Sequence, residues 1–330
     1  MGNRAPSDME IKVITLGTAG GPQWWRTGAG QDLKISYGIS TAVVVGDDVY
    51  LIDAGYGAAH QLIRAGYSMR QVRAIFVTHL HSDHTSDLPA ILLYSLYEAT
   101  DSRHLPIPIF GPASSPIEGE LADQNKCFGP KVNGIQGMVE NLEYAFNADL
   151  FDRMEHGLRA GFKELFSVQE LQTPEAAENF TINDVYSDEA VTVRAAQVDH
   201  ATMKPAFAFR FDTPKGSVTI SGDTAPCDEL VELAEGSEIL LHEAINQDWM
   251  DAMYPAGVEL SPMKQAALLH HQESHSTVRE ACEVADKAKV KRLVLHHLVP
   301  GNLPSSSWAA AANRENGEVI VAEDLDIFIL

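Results

Sequence analysis

The sequence has few cysteines, few basic residues and no long hydrophobic run. Its 330 residues include 3 cysteines, 24 lysines and arginines, and 46 aspartates and glutamates, for a formal net charge of −22. No apolar stretch approaches the roughly 18 residues that a transmembrane helix needs, so we expect no membrane contact. The first residues also lack the apolar core of a signal peptide.

These scarcities restrict the compartment and the partners that we expect. The cysteines, Cys127, Cys227 and Cys282, are odd in number and scattered, which is typical of free thiols in a reducing compartment and predicts a cytoplasmic location. Nucleic-acid binding draws most of its affinity from Lys and Arg side chains that neutralise phosphates. The acidic balance therefore disfavours a nucleic-acid partner and favours a small-molecule substrate.

Histidine, by contrast, is concentrated in one short stretch. Of 13 histidines, three stand in residues 78–84, Thr-His-Leu-His-Ser-Asp-His, directly after the apolar run 74–77. That run predicts a buried strand, and residues 85–89 are typical of a helix start, so the histidines lie on a strand-to-helix turn. Imidazole nitrogens and carboxylate oxygens are the ligands that zinc accepts in hydrolytic sites. The stretch therefore predicts a metal site.

The pattern His-x-His-x-Asp-His resembles that of the metallo-β-lactamase superfamily. Four further motifs occur in the order of that family. One precedes the pattern, Asp53 in Leu-Ile-Asp-Ala-Gly, and three follow it: His200 in Val-Asp-His, Asp223 in Ser-Gly-Asp-Thr and His297 in His-His-Leu. The resemblance covers residues from about 11 to 330. It implies an α/β fold, the four-layer αβ/βα sandwich, formed by residues 1–330 as a single domain.

The resemblance also implies a role for each motif residue. It implies two Zn²⁺ ions per chain, with Mn²⁺ or Fe²⁺ as substitutes. The ligands of one ion would be His79, His81 and His200, those of the other would be Asp83, His84 and His297, and Asp223 would bridge the two. Asp53 would support the site from beneath as a carboxylate outside the ligand set.

Two histidines outside the ligand set are candidates for proton transfer. His242, in His-Glu-Ala, and His275, in His-Ser-Thr, resemble motifs of the ribonuclease Z branch, although Ile245 replaces a threonine of the first. Either could donate a proton to the leaving group, or could be a hydrogen-bonded structural residue. Asp83, His242 and His275 are therefore the catalytic candidates.

Three tryptophans are candidates for the wall of a substrate pocket. Trp24 and Trp25 follow a glycine-rich turn, and Trp249 lies near the His242 motif. The alternative for these rings is simple packing.

Residues 114–179 lack the alternation of the rest of the chain. They predict a mainly helical insertion, with helix from about 137 to 166. Its many apolar residues must pack on something. We expect either a lid over the metal site or a dimer surface, and a homodimer.

The sequence-based expectation for function is a small-molecule hydrolase. The chain resembles both the ribonuclease Z and the arylsulfatase-like branches, but it lacks a separate basic arm. We therefore expect attack on an aryl sulfate or phosphodiester by a metal-bound hydroxide. The alternatives are lactone hydrolysis, dehalogenation of an activated aromatic, and, from another class, a metal-dependent ribonuclease or RNA-binding protein.

Overall fold

A computed structural model describes residues 9–25, 36–94, 96–99, 105–116, 131–157, 161–172, 182–314 and 317–330. The strands in these ranges are β1 (Ile11–Gly17), β2 (Ser40–Val45), β3 (Asp48–Ile52), β4 (Val72–Phe76), β5 (Ile107–Pro112), β6 (Ser115–Pro116), β7 (Lys131–Val132), β8 (Phe166–Leu171), β9 (Asn183–Ser187), β10 (Thr192–Gln197), β11 (Phe207–Thr213), β12 (Gly216–Ile220), β13 (Ile239–Ile245), β14 (Arg292–Val299), β15 (Glu318–Val321) and β16 (Ile327–Ile329).

The helices connect and cover these strands. In the same ranges they are α1 (Ala58–Arg64), α2 (Ser82–Thr85), α3 (Leu88–Tyr94), α4 (Leu96–Ala99), α5 (Ile135–Ala145), α6 (Asn147–Glu155), α7 (Phe162–Leu165), α8 (Asp228–Leu233), α9 (Gln247–Met253), α10 (Pro262–Ser274), α11 (Val278–Lys287) and α12 (Ser305–Ala309). None of them is long and apolar enough to span a bilayer.

The strands form two seven-stranded sheets and a short ribbon. The first sheet has the order β16-β1-β2-β3-β4-β5-β8, and the second has the order β15-β14-β13-β12-β11-β10-β9. Strands β6 and β7 pair with each other. In each sheet, antiparallel hairpins lie beside a parallel group, β3-β4-β5-β8 in one and β12-β13-β14-β15 in the other.

The apolar side chains divide into an inner core and two outer cores, which gives four layers. Tyr50 and Phe76 of the first sheet pack with Phe209 and Phe211 of the second in the inner core. One outer core joins the first sheet to α1, α3 and α5, and the other joins the second sheet to α8 and α11. Alternation along the strands directs neighbouring residues to opposite cores. The predicted αβ/βα sandwich is confirmed.

The described part of residues 114–179 contains helices and also a strand of the main sheet. Helices α5, α6 and α7 account for most of the described part, and Ile135, Val139 and Phe162 are buried in the outer core. Strand β8 then runs parallel to β5 at the sheet edge. Phe166 and Val168 of this strand face that core. Two alternating apolar positions are too few to predict a strand from the sequence, so β8 was not distinguished from the helices before it. The positions 117–130, 158–160 and 173–179 lie outside the described residues.

Candidate metal centre and active site

The motif residues meet at the edge of the sandwich where parallel strands of both sheets end. His79 follows β4, His200 follows β10, Asp223 follows β12, and His297 lies near the end of β14. A parallel sheet presents the carboxyl ends of its strands along one edge, where loops can carry functional side chains. The fold therefore brings together residues that are separated by more than two hundred positions in the sequence.

One group of donor atoms consists of three imidazoles and a carboxylate. Nδ1 of His81 lies 3.0 Å from Nε2 of His79 and 3.1 Å from Nε2 of His200. Oδ2 of Asp223 lies 3.7 Å from the His79 atom and 4.0 Å from the His200 atom. Four ligands at about 2.0–2.1 Å from a tetrahedral ion are separated by roughly 3.3 Å. The convergence of these atoms therefore fits one cation.

A second group shares Asp223 with the first. Oδ1 of Asp223 lies 3.2 Å from Nε2 of His84 and 3.2 Å from Nε2 of His297. Oδ2 of Asp83 lies 3.2 Å from the His297 atom and 3.8 Å from the His84 atom. The two carboxylate oxygens of Asp223 thus face different groups. This is the arrangement that a bridging carboxylate requires.

The surroundings of these atoms fit a divalent cation. Nε2 of His84 and Oδ1 of Asp223 are buried, and neither has a hydrogen-bond partner among the described residues. Leaving buried polar atoms unpaired costs about 1–3 kcal/mol each. A metal ion would satisfy both atoms at once, and nitrogen with carboxylate oxygen is a donor set that zinc accepts.

The protonation of the first group also suits metal binding. Burial lowers the pKa of His81 to about 4 and that of His200 to about 3, and it holds the pKa of His79 well below its usual range. Neutral imidazoles present lone pairs at neutral pH.

The second group favours a positive charge among its carboxylates. Burial alone would lower the pKa of His84, but the carboxylates of Asp223, Asp53 and Asp83 outweigh it and raise the pKa well above its usual range. Burial would likewise raise the pKa of Asp223, but His297 and His84 hold it well below. A metal ion would supply the positive charge that this group of carboxylates favours.

Asp53 contacts one of the candidate ligands, His84, from the side away from the other donor atoms. Its Oδ2 is 2.8 Å from Nδ1 of His84. Thr78 donates to the same carboxylate through its backbone N–H and its hydroxyl, at 2.8 and 2.9 Å. A carboxylate bonded to the far nitrogen of a ligand histidine fixes the ring and leaves the other nitrogen for the metal.

His297 is directed into the site by a bulge. The pairing of β13 with β14 shifts between Glu243 and Ala244, and His297 adopts a positive φ of 44° at that point. A bulge inserts one residue and changes the direction of its side chain. A Cβ on Gly20 would lie 2.4 Å from the His297 ring, so only glycine allows this approach.

His275 lies beside the metal ligands and faces a buried glutamate. Its Nδ1 is 3.3 Å from Oε1 of Glu243, and the same oxygen accepts a hydrogen bond from the backbone N–H of Ser276 at 2.9 Å. The His275 ring stacks over His297 with centroids 5.9 Å apart. Burial would lower the pKa of His275, but Glu243 outweighs it and raises the pKa to about 9.

His242, the other candidate for proton transfer, is not brought to this site. It is fully buried on the face of β13 whose neighbours Leu240 and Ala244 pack against helices. The next residue, Glu243, points to the opposite face because strand side chains alternate. Sequence reasoning missed Glu243, although it stands in the same His-Glu-Ala motif.

The three tryptophans have different environments. Trp24 is 69% exposed and lines a cavity of about 590 Å³ that borders Asp83. Trp25 also borders this cavity, but it packs with Trp249 near Met250, and its indole N–H donates to the Gly20 carbonyl at 2.7 Å. Trp249 is not among the residues that line the cavity.

Comparison with protein families and relatives agrees with the fold and the site. Residues 36–95 match the metallo-β-lactamase superfamily, and residues 131–298 match the β-lactamase superfamily domain. Ribonuclease Z of Mycobacterium bovis (strain BCG / Pasteur 1173P2) is 30% identical over 293 residues, which cover 87% of this chain and 90% of that protein. Ribonuclease Z of Mycobacterium sp. (strain KMS) is 31% identical over 291 residues, 87% of this chain and 88% of that protein.

Solved structures share the architecture. The metallo-β-lactamase fold protein YhfI of Bacillus subtilis superposes with a TM-score of 0.61 at 17% identity, over 97% of this chain and 100% of that one. The short form of human tRNase Z gives a TM-score of 0.58 at 23% identity, over 96% of this chain and 98% of that one. At these identities the likeness concerns the fold.

Two expectations from the sequence are wrong. The relatives that match along most of both chains are ribonucleases by name. They overturn the expected hydrolysis of an aryl sulfate or another small ester, and with it the expectation that a nucleic-acid partner is unlikely. The physical reason is that net charge sums over the whole surface and does not measure the field in one cleft. The ligand geometry and the relatives together identify a metal-dependent hydrolase, and the chain belongs to the metallo-β-lactamase superfamily and, within it, to the ribonuclease Z family.

Proposed function

We propose that the chain is a metal-dependent ribonuclease that hydrolyses a phosphodiester bond of RNA. The observation that carries the proposal is the shared position of Asp223, whose two oxygens face two separate groups of ligand atoms. Cleavage of a phosphodiester spreads negative charge over several oxygens, so it requires positive charge on more than one side of the phosphorus. The names of the curated relatives support RNA as the substrate.

We infer that the metals are two divalent ions and that zinc is the first choice, with manganese or iron as substitutes. His79, His81 and His200 would hold one ion, Asp83, His84 and His297 would hold the other, and Asp223 would join them. When bound, the ions would supply positive charge to the phosphate and make a nearby water more acidic.

His275 and Glu243 would handle the proton of the leaving group. Departure of a ribose oxygen requires a proton, because an alkoxide is a poor leaving group. The His275 ring lies against the ring of His297, a candidate ligand. Oε1 of Glu243 lies 3.3 Å from Nδ1 of His275. The opposite nitrogen, Nε2, would carry the proton. Glu243 would keep the ring oriented.

Three further expectations stay predictions within this proposal. The cytoplasmic location is supported by free thiols at Cys227 and Cys282. The homodimer is supported by Phe151 and Met154, two exposed apolar side chains of α6. The helical segment as a lid is supported by α5, whose Met138, Asn141 and Leu142 border a cavity of about 700 Å³ together with Leu80 beside the ligands.

A cleavage assay on purified, zinc-loaded protein tests the function. The substrates are a tRNA precursor, an unstructured RNA of equal length, a matching DNA and an aryl sulfate. We expect cleavage of RNA, loss of cleavage with a chelator and recovery with zinc.

Asp223→Ala is the matched variant for this assay. Elemental analysis should show that it loses both metals, because one carboxylate serves two ions, and RNA cleavage should be lost with them. Full two-metal occupancy would refute the shared role of Asp223. If the protein cleaved the aryl sulfate but none of the RNA substrates, the proposed function would be refuted.

A further inference from the structure

The cavity beside Asp83 contains a corner made by two aromatic rings. The ring centroids of Trp24 and Tyr56 lie 4.4 Å apart, and the ring planes meet at 87°. The side chains are 69% and 45% exposed. Large aromatic side chains are normally buried, because each can remove roughly 150–250 Å² of mostly apolar surface from water. Two exposed rings at one cavity therefore point to a ligand.

The corner is fixed relative to the metal ligands. Three residues before Trp24, the backbone N–H of Gly21 donates to Oδ2 of Asp83 at 2.7 Å. Directly before Tyr56, Gly55 lies so close to Asp83 that an added Cβ would be 2.4 Å from its carbonyl oxygen. Both aromatic residues thus extend from backbone that touches one metal ligand.

The neighbouring aromatic residues hold the corner in place. Tyr37 stacks behind Tyr56 with centroids 6.1 Å apart and planes inclined by 14°. Trp25 stabilises the loop that follows β1, residues 18–25. Its indole N–H donates to the Gly20 carbonyl, and its ring packs against Trp249. Trp25 therefore stabilises the loop, while Trp24 is free to contact a ligand.

The chemistry of the cavity favours a flat, uncharged ligand group. Asp83 is the sole charged side chain among the described residues that line it, and the polar neighbours are Gln23, Ser36, Ser82 and Ser86. In a perpendicular corner, a flat ring that stacks on one wall meets the other edge-to-face, and both geometries are favourable. Amides and hydroxyls can bond the edge of a nucleobase, whereas a phosphate would find no described cation on these walls.

We propose that Trp24 and Tyr56 form a subsite for one nucleobase of the RNA strand, next to the phosphate that is cleaved. This inference rests on the proposed ribonuclease function and adds a contact that fixes the strand on the Asp83 side of the metals. Stacking on aromatic side chains contributes about 1–3 kcal/mol per base without help from Lys or Arg. Such a contact suits this cavity, because the described residues that line it include no Lys or Arg to bind phosphate.

A kinetic cycle with abasic RNA tests the subsite. Wild type, Trp24→Ala and Tyr56→Ala are compared on an RNA of fixed sequence and on versions that lack one base at each position around the cleaved bond. For wild type, one abasic position should raise KM roughly 5- to 150-fold, the equivalent of about 1–3 kcal/mol. For Trp24→Ala the intact RNA should show that rise, and the abasic RNA should cause no further loss.

Two variants separate stacking from general damage. Trp24→Phe should restore most of the affinity, because phenylalanine keeps an aromatic face. Tyr144→Ala removes a ring that is 77% exposed on α5 and does not border this cavity, so its KM for RNA should match that of wild type. Metal content and melting temperature are recorded for every variant. An unchanged KM in Trp24→Ala, or equal losses on intact and abasic RNA, would overturn the subsite while leaving the ribonuclease proposal intact.

A binding measurement keeps the inference testable if no RNA is cleaved. The fluorescence difference between wild type and Trp24→Phe is followed during titration with cytidine 5′-monophosphate, adenosine 5′-monophosphate and ribose 5-phosphate. Quenching by the nucleotides alone supports a base subsite even where the ribonuclease proposal fails. Equal quenching by ribose 5-phosphate, or none by any of the three, would refute it.

Discussion

Oδ2 of Asp53 lies 2.8 Å from Nδ1 of His84, while Nε2 of the same ring lies 3.2 Å from Oδ1 of Asp223. The imidazole therefore joins a carboxylate outside the ligand set to the carboxylate shared by both groups of ligands. Asp53 has a positive φ of 58°, which few residues other than glycine adopt readily. A residue held in this way supports the geometry of the site rather than the local backbone.

We predict that Asp53→Asn weakens metal binding without unfolding the protein. Asparagine tolerates a positive φ and keeps the size of the side chain, but it replaces the charged acceptor. Loss of such a supporting bond typically lowers metal affinity about 10- to 100-fold. Competition with a zinc chelator measures the change. The control is Asp47→Asn in the exposed turn between β2 and β3, which should keep wild-type affinity. Equal affinity in both variants would show that Asp53 does not support the ligands.

The candidate ligands could be chosen from the sequence because their motif is local and its setting is strongly apolar. His79, His81 and His84 follow a strand of five buried residues, β4, so strand and turn could be recognised from composition alone. The family resemblance added Asp223, His200 and His297, whose spatial proximity no local pattern shows. The structure brings all of them together.

Other features could not be predicted because both faces of the second sheet are buried. In β13 every residue is buried, so no alternation of polar and apolar residues distinguishes the face of His242 from that of Glu243. The bulge at His297 likewise has no signal in the buried run Leu293–Val299. The ribonuclease reading was kept only as an alternative for a different reason, since total charge is a property of the whole surface.

We predict that His275→Ala slows cleavage in proportion to the proton demand of the leaving group. On RNA, whose ribose oxygen must be protonated, turnover should fall by about 10²–10⁴-fold. On a p-nitrophenyl phosphodiester, whose leaving group is stable as an anion, the loss should be far smaller. Rates across a series of leaving groups, with metal content checked, measure the effect.

His242→Ala is the matched control for that series. His242 is fully buried on the face of β13 that carries Leu240 and Ala244, so its loss should lower thermal stability and leave the leaving-group dependence as in wild type. If His275→Ala gave the same loss on every leaving group, the residue would position substrate or ligands and would not transfer the proton.

We predict that Asp188→Asn destabilises the sandwich. The carboxylate is 9% exposed and lies 2.7 Å from the hydroxyls of Tyr50 and Tyr186 and 3.2 Å from the Arg73 guanidinium. Tyr50 and Arg73 belong to the first sheet and Tyr186 to the second, so one side chain joins both. Hydrogen bonds to a charged group contribute about 1.5–3 kcal/mol. Urea unfolding at pH 7 should therefore show a loss of about 2 kcal/mol, and none for Asp184→Asn on the exposed face of β9.

The same variant should show a defined pH dependence. Burial would raise the pKa of Asp188, but the hydroxyls of Tyr186 and Tyr50 outweigh it and lower the pKa below its usual value. A lowered pKa in the folded state gives stability that is present above the unfolded pKa of about 3.9 and is lost as pH falls through the folded value. The difference in unfolding free energy between wild type and Asp188→Asn should thus be constant from about pH 5 to about pH 7. It should shrink below about pH 4. A difference that persists at low pH would mean that packing, not charge, is the cause.

We predict that Asn141→Trp obstructs RNA and leaves the metals in place. Asn141 lies on α5 and borders the cavity that also touches Leu80, between two ligand histidines, and Met203 beyond His200. If α5 is a lid or wall of the substrate path, a large side chain there should raise KM for RNA at least fivefold, roughly the effect of 1 kcal/mol. Tyr144→Trp, on the exposed side of the same helix, is the matched control and should behave as wild type.

Analytical ultracentrifugation of both variants, and of Phe151→Asp on the exposed face of α6, separates the lid from the dimer surface as roles of residues 114–179. An unchanged KM in Asn141→Trp together with dissociation of a dimer in Phe151→Asp would assign the segment to a subunit interface, because the lid requires the cavity and the interface requires the exposed face.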